Sequence, residues 1–161
     1  MFSERSGVVV EPAEFAGIAA EAGPAGVKLS GLAAERFEEY HAALPPEPRL
    51  WSGAGTRLAE VVRHGGAGVV SGLSAAFPEP FAMPADAVAS GDPLAERTAQ
   101  ARADEVLAAL GGTVEGIKPA LSHVGRGTGG ALRMPASEIG PDERRHIARL
   151  AETAQASHIP R

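Results

Sequence analysis

One amine stands where a buried strand is expected. The segment Ala25-Gly26-Val27-Lys28-Leu29-Ser30-Gly31 is apolar around its lysine, and only one other lysine, Lys118, occurs in the chain. The other thirteen of the fifteen cationic residues are arginines. Arginine stays charged at any working pH, whereas a desolvated lysine can lose its proton and attack a carbonyl carbon. The plainer alternative is a strand-end lysine whose stem is buried and whose head reaches solvent. A second place for chemistry is the turn Gly53-Ala54-Gly55-Thr56, whose backbone N–H groups could hold an anion at the start of a helix. A tight strand-to-helix turn explains those glycines equally well, and a turn that lets substrate approach the backbone is the reading favoured here. His41, His64, His123, His146 and His158 show no ligand spacing with acids on one face, so they read as surface or helix-end residues and no metal site is expected.

The elements that must carry Lys28 repeat as strand and helix. Gly7-Val8-Val9-Val10 leads into Glu11-Pro12-Ala13-Glu14, a helix start with proline in the first turn and acids near the positive end of the dipole. That helix, 11–22, is stopped by Gly23-Pro24. Strand 26–30 follows, then helix 32–43, with Leu32, Phe37 and Tyr40 expected roughly along one apolar face. Pro45-Pro46-Glu47-Pro48 excludes helix or central strand. Strand 49–53, helix 56–64, the stop Gly65-Gly66 and strand 67–72 complete the pattern.

Apolar strands without alternation are buried on both faces, the mark of a parallel sheet. Right-handed crossovers then leave an open doubly wound sheet or a segment of a (β/α)8 barrel. In either, the C-terminal strand ends bear the site, which brings Lys28 and the turns at 52–55 and 71–74 to one rim.

After Pro80 the pattern becomes helical. A long helix over 85–110 is interrupted at Gly91-Asp92-Pro93, where Asp92 can cap and Pro93 can begin a new one. Helices at 116–124 and 141–156 follow, with no further strand. The expected division is a partial barrel over 1–82 and a helical region over 83–161.

Composition bounds the partners. At 161 residues the chain can form a real core, its 44% apolar content is ordinary, and its net charge of −5 argues against nucleic acid or an anionic membrane as the main partner. There is no cysteine, so disulfides and thiolate metal sites are excluded. With no 18-residue apolar run and no basic-then-apolar leader, the chain reads as soluble, non-exported and cytoplasmic, with no membrane partner.

With the strands placed, the chain resembles the C-terminal half of the dihydrodipicolinate synthase/N-acetylneuraminate lyase family of class I aldolases. Arg5-Ser6-Gly7-Val8 looks like that family's loop after the fifth barrel strand. Gly26-Val27-Lys28-Leu29-Ser30-Gly31 looks like its sixth, Leu50-Trp51-Ser52-Gly53 like its seventh and Gly66-Ala67-Gly68-Val69-Val70-Ser71 like its eighth strand. Ile117-Lys118-Pro119-Ala120-Leu121 and Leu132-Arg133-Met134-Pro135 are similar to motifs of its helical tail, where Lys118 and Arg133 would be structural.

The resemblance implies an α/β fold, the C-terminal part of a TIM barrel (strands six to eight) followed by a small all-helical region. It implies a lyase or synthase that joins or splits pyruvate, or another small 2-keto acid, with an aldehyde through an imine on Lys28. Arg5 would clamp the substrate carboxylate, Ser52 and Gly53 would line the substrate site, and Val70 would offer its backbone carbonyl. No cofactor and no metal would be needed, and the full-length protein would be a homo-oligomer. Differences from the family pattern are Leu29 and Gly31-Leu32 in strand six and Ala54-Gly55 after Ser52-Gly53, where acidic or polar residues are usual. The family's relay tyrosine sits five residues before the loop arginine, so counting back from Arg5 places it just ahead of Met1. The expectation is therefore half of a barrel enzyme, cut where the fifth strand ends and inactive alone. The alternatives are a non-catalytic half-barrel and a phosphate-binding barrel enzyme of another family that uses the strand-seven and strand-eight turns.

Overall fold

Glycine and proline punctuate the first half of the chain into short units. The computed structural model, which describes residues 6–133 and 139–157, sets three short strands side by side. Strands β1 (Gly26–Leu29), β2 (Arg49–Ser52) and β3 (Gly68–Val69) pair in parallel, in the order β1-β2-β3. Lys28 stands opposite Trp51 and Leu29 opposite Ser52; Trp51 stands opposite Gly68. The parallel arrangement is the expected one. Strand β3 is shorter than the expected 67–72, although the Ala67 N–H donates to the Leu50 carbonyl and the Val70 N–H to the Ser52 carbonyl, both at 2.8 Å.

Helices cover one face of this sheet. Helix α1 (Pro12–Ala22) begins with its proline in the first turn and ends where Gly23 turns left-handed, with φ of 58°. The expected helix 32–43 is two helices, α2 (Leu32–Glu35) and α3 (Phe37–Ala43), broken at Arg36. Leu32 is not on the apolar face and is 62% exposed. The stripe that faces the sheet is instead Ala33, Phe37, Tyr40 and Leu44, spaced i, i+4, i+7 and i+11, and Leu32 falls outside it. Helix α4 (Leu58–Arg63) starts two residues later than expected.

Side chains alternate across a strand, so the sheet has two different faces. Leu29 and Leu50 join Phe15, Phe37, Tyr40 and Val61 in a core under the helices, with Val27 and Val69 packed against it. Gly26, Lys28, Trp51 and Gly68 fall on the other face. There Lys28 and Trp51 are half-buried, and Trp51 joins neither of the two cores among the described residues.

The second half is helical, as expected. A 3-10 turn at Leu73–Ala75 leads to α5 (Glu79–Ser90), α6 (Pro93–Leu110), α7 (Val114–His123) and α8 (Pro141–Ser157). The interruption at 91–92 is real, and the Asp92 carboxylate accepts the Leu94 and Ala95 N–H groups at 2.9 and 3.1 Å. Helix α5 begins at Glu79, ahead of the expected 85. Pro80 is tolerated in the first turn, and the buried Pro84 removes only one helical hydrogen bond. Phe77, Phe81, Val106, Leu110 and Ile147 centre a second core. Helix α4 packs on α5, and Arg63 pairs with Glu96 of α6, joining the helical part to the sheet part.

Candidate active site on the open face of the sheet

Lys28 projects from β1 on the face opposite the core that the described helices cover, and it leans across to β2. A Cβ built on Gly53 would stand 2.7 Å from the Lys28 Cε, 2.8 Å from its Nζ and 2.9 Å from the Leu29 carbonyl oxygen. Separations this short are not tolerated, so the lysine tip occupies the space that a glycine leaves empty. The Gly53 N–H donates to the Leu29 carbonyl at 2.7 Å, which holds the turn after β2 against the end of β1. Lys28 and Gly53, both singled out in the sequence, are thus brought together.

Ser52 lies next to them with its side chain wholly buried. It registers with Leu29 and Val69, on the helix side of the sheet, and its hydroxyl accepts the Ala54 N–H at 3.1 Å. Val70 follows β3, holds its N–H on the Ser52 carbonyl and is 54% exposed. Arg5 lies outside the described residues, as do Met134, Pro135 and His158.

The turn at 53–57 is poorly suited to phosphate. The Gly53, Ala54 and Arg57 N–H groups already donate to Leu29, Ser52 and Ala54. Helix α4 is six residues long, and the Ser71 hydroxyl fills the space beside Gly55, 2.2 Å from where its Cβ would be. These observations favour a packed turn over an anion cradle.

Tyr40, the single tyrosine, lies on the helix side of the sheet in edge-to-face contact with Phe15, and its hydroxyl donates to the Val10 carbonyl at 2.7 Å. Burial pushes its phenol up. Nearby, Arg36 bonds both Glu39 and Glu11, and its guanidinium holds the Glu39 carboxyl below the usual carboxylate range. Lys118 donates to the Ala131 carbonyl, tying down the loop after α7. Among the described residues no group of three or more His, Asp or Glu side chains is gathered as a metal would require. No described helix is long and apolar enough to cross a membrane.

Sequence reasoning missed Trp51. A Cβ at Gly26 would lie 2.2 Å from its Cζ3, and a Cβ at Gly68 would lie 3.7 Å from its Cδ1. The indole therefore extends over glycines of both neighbouring strands. The available signal was the lone tryptophan in a strand whose partners each carry a glycine.

The sequence profile of the dihydrodipicolinate synthetase family matches residues 1–154. The chain belongs to this family. No curated protein sequence matches it. Among solved structures, a dihydrodipicolinate synthase from Bacillus anthracis superposes with a TM-score of 0.79 at 18% identity, covering 99% of this chain and 53% of that one. YagE, a prophage protein of the dihydrodipicolinic acid synthase family from E. coli K12 solved with pyruvate, gives 0.77 at 17% identity, with 96% and 54% covered. A 2-keto-3-deoxygluconate aldolase from Sulfolobus, solved with D-KDPG, gives 0.75 at 21% identity, with 97% and 53% covered. The family chain described here thus spans about half the length of the structures it matches. Their likeness fixes the fold: the parallel strands and helices are part of a TIM barrel with a helical region after it, and the open doubly wound sheet is set aside.

Proposed function

We propose that this chain carries the imine-forming lysine of a pyruvate-dependent aldolase, lyase or synthase, and that the lysine is Lys28. The observation that carries the reading is the placement of the Lys28 amine at the C-terminal strand ends, on the open face, over a glycine that leaves it room. Family membership and the pyruvate bound by YagE support it.

The neutral amine attacks the keto carbon of pyruvate and gives a carbinolamine. Loss of water yields the imine, which draws electrons from the neighbouring carbon so that a bond to an aldehyde carbon can form or break there. Arg5 is assigned to the substrate carboxylate and the backbone around Gly53 and Val70 to the walls of the site. Dehydration of the carbinolamine needs a proton donor, a role worth about 10²–10⁴-fold. Tyr40 is held on the helix side of the sheet. We therefore assign full activity to a complete barrel, assembled as a homo-oligomer, and little turnover to these 161 residues by themselves.

Borohydride with pyruvate tests the lysine. Hydride adds to the imine carbon and a proton to its nitrogen, leaving a stable secondary amine that mass spectrometry locates. The adduct is expected on the Lys28 peptide and absent in Lys28→Ala and Lys28→Arg, because a guanidinium does not form the imine. Since adducts accumulate, the result is readable where turnover is slow. A pyruvate adduct spread equally over Lys28 and Lys118 would overturn the assignment.

A further inference from the structure

The imine reading gives Lys28 a task but does not say what aims it. Lys28 and Trp51 are direct partners across β1 and β2, so both side chains rise from the same face at the same level. They cannot fill the same space. The lysine runs toward the C-terminal rim, its Cε and Nζ over Gly53, two residues beyond Trp51. The indole leans the opposite way. Its Cζ3 and Cη2 lie 2.2 and 3.0 Å from where a Cβ of Gly26 would be, two residues before Lys28. Its Cδ1 and Nε1 lie 3.7 and 3.9 Å from the corresponding point at Gly68 on β3. The ring thus stretches from β3 to β1 across all three strands and fills the layer on the N-terminal side of the lysine. Gly26 and Gly68 supply the room, and any side chain at Gly26 would collide with the ring.

We infer that Trp51 is the positioning residue for Lys28, an apolar plate that closes the N-terminal side of its pocket and leaves the amine only the rim above Gly53. An indole is large and has few rotatable bonds, so it holds this position at small entropic cost. The lysine stem has many rotamers, and blocking those that point down the strand keeps the amine where a keto acid can meet it. This rests on the reading of Lys28 as the imine-forming residue, but the positioning can be measured without any imine.

The test uses the 161-residue chain and the variants Trp51→Phe and Trp51→Ala. With only two lysines, carbon-13 labelling at lysine Cε gives two signals, and Lys28→Ala assigns them. Relaxation of the Lys28 signal should report restricted motion in the parent, freer motion in Trp51→Ala and an intermediate state in Trp51→Phe, with Lys118 unchanged as the internal reference. Pyruvate trapping at Lys28 relative to Lys118 should fall about tenfold or more in Trp51→Ala and be largely rescued by phenylalanine. If Trp51→Ala does not fold, Trp51→Phe and Gly26→Ala carry the test, the latter because its new methyl must displace the ring. Unchanged Lys28 relaxation in a folded Trp51 variant, or a selective Lys28 adduct in the parent that the variants retain in full, overturns the inference. Restricted motion released by the variants, with no selective adduct in the parent, sinks the imine reading and leaves the positioning role standing.

Discussion

The tip of Lys28 lies where a side chain at Gly53 would have to stand, with 2.7 Å between the built Cβ and the lysine Cε. This contact makes Gly53 a condition of the lysine's position. In Gly53→Ala the lysine must swing away, and the Leu29 carbonyl, 2.9 Å from the same point, must also yield. Overpacking of this kind costs about 1–3 kcal/mol, to be read by denaturant unfolding. Borohydride trapping of pyruvate at Lys28 should fall at least tenfold, a far larger relative loss than in a surface glycine variant such as Gly91→Ala. Trapping at the parent level would show that the contact is incidental.

Ser30 offers the opposite case. It follows β1, is 6% exposed, and its hydroxyl finds no hydrogen-bond partner among the described residues. A buried polar group without a partner loses its water and gains nothing for it. Ser30→Ala should therefore be neutral or raise stability by about 1 kcal/mol in urea unfolding. A loss of more than about 1 kcal/mol would mean that the hydroxyl has a partner after all.

How much of this could be read from the sequence differs from element to element. Strands β1 and β2 lay inside the expected ranges because glycine and proline stops bracket short apolar runs, and Asp92-Pro93 marked a helix start by its capping chemistry alone. The break at Arg36 had no such signal, since no proline or glycine interrupts 32–43. What decides it is packing: Phe37 and Tyr40 must reach the sheet, and Leu32 does not share their stripe. Helix α5 was placed late because the helical pattern was read only from residue 85, after Pro80, whereas the first turn of a helix has N–H groups to spare and accepts that proline. Lys28 was legible as a charge in an apolar strand. Trp51 was not, because its role depends on register, and register between parallel strands comes from the fold and not from local spacing.

Tyr40 allows a direct reading of the helix side of the sheet. It is the only tyrosine, so tyrosinate absorbance follows this one group. Burial raises its folded value above the ordinary 10.0, so the protein prefers the neutral phenol. The stability this contributes is fully present below the unfolded value and is lost as pH rises through the folded one. The absorbance titration should have its midpoint above that of free tyrosine, with unfolding following at the alkaline end. In Tyr40→Phe the Val10 carbonyl loses its donor at a cost of about 1 kcal/mol. A titration that overlays free tyrosine while the protein remains folded would contradict the buried placement.

The open face leads to the last expectation. Strands β1 and β3 are the outer members of a three-stranded sheet, each with an edge that pairs with no other described strand. Apolar side chains stand exposed nearby: Val8 and Val9 ahead of α1, and Val70 after β3. Unpaired parallel edges beside apolar surface are a site for association, because pairing would satisfy backbone groups and bury valines in the same step. The 161-residue chain alone should therefore self-associate, with a sedimentation coefficient that rises with concentration. Val70→Lys places a charge beside the β3 edge, where it would have to be desolvated on pairing, and should shift the population toward monomer without lowering the melting temperature. A monodisperse, cooperatively melting monomer across the concentration range would mean that the face is stable without a cover.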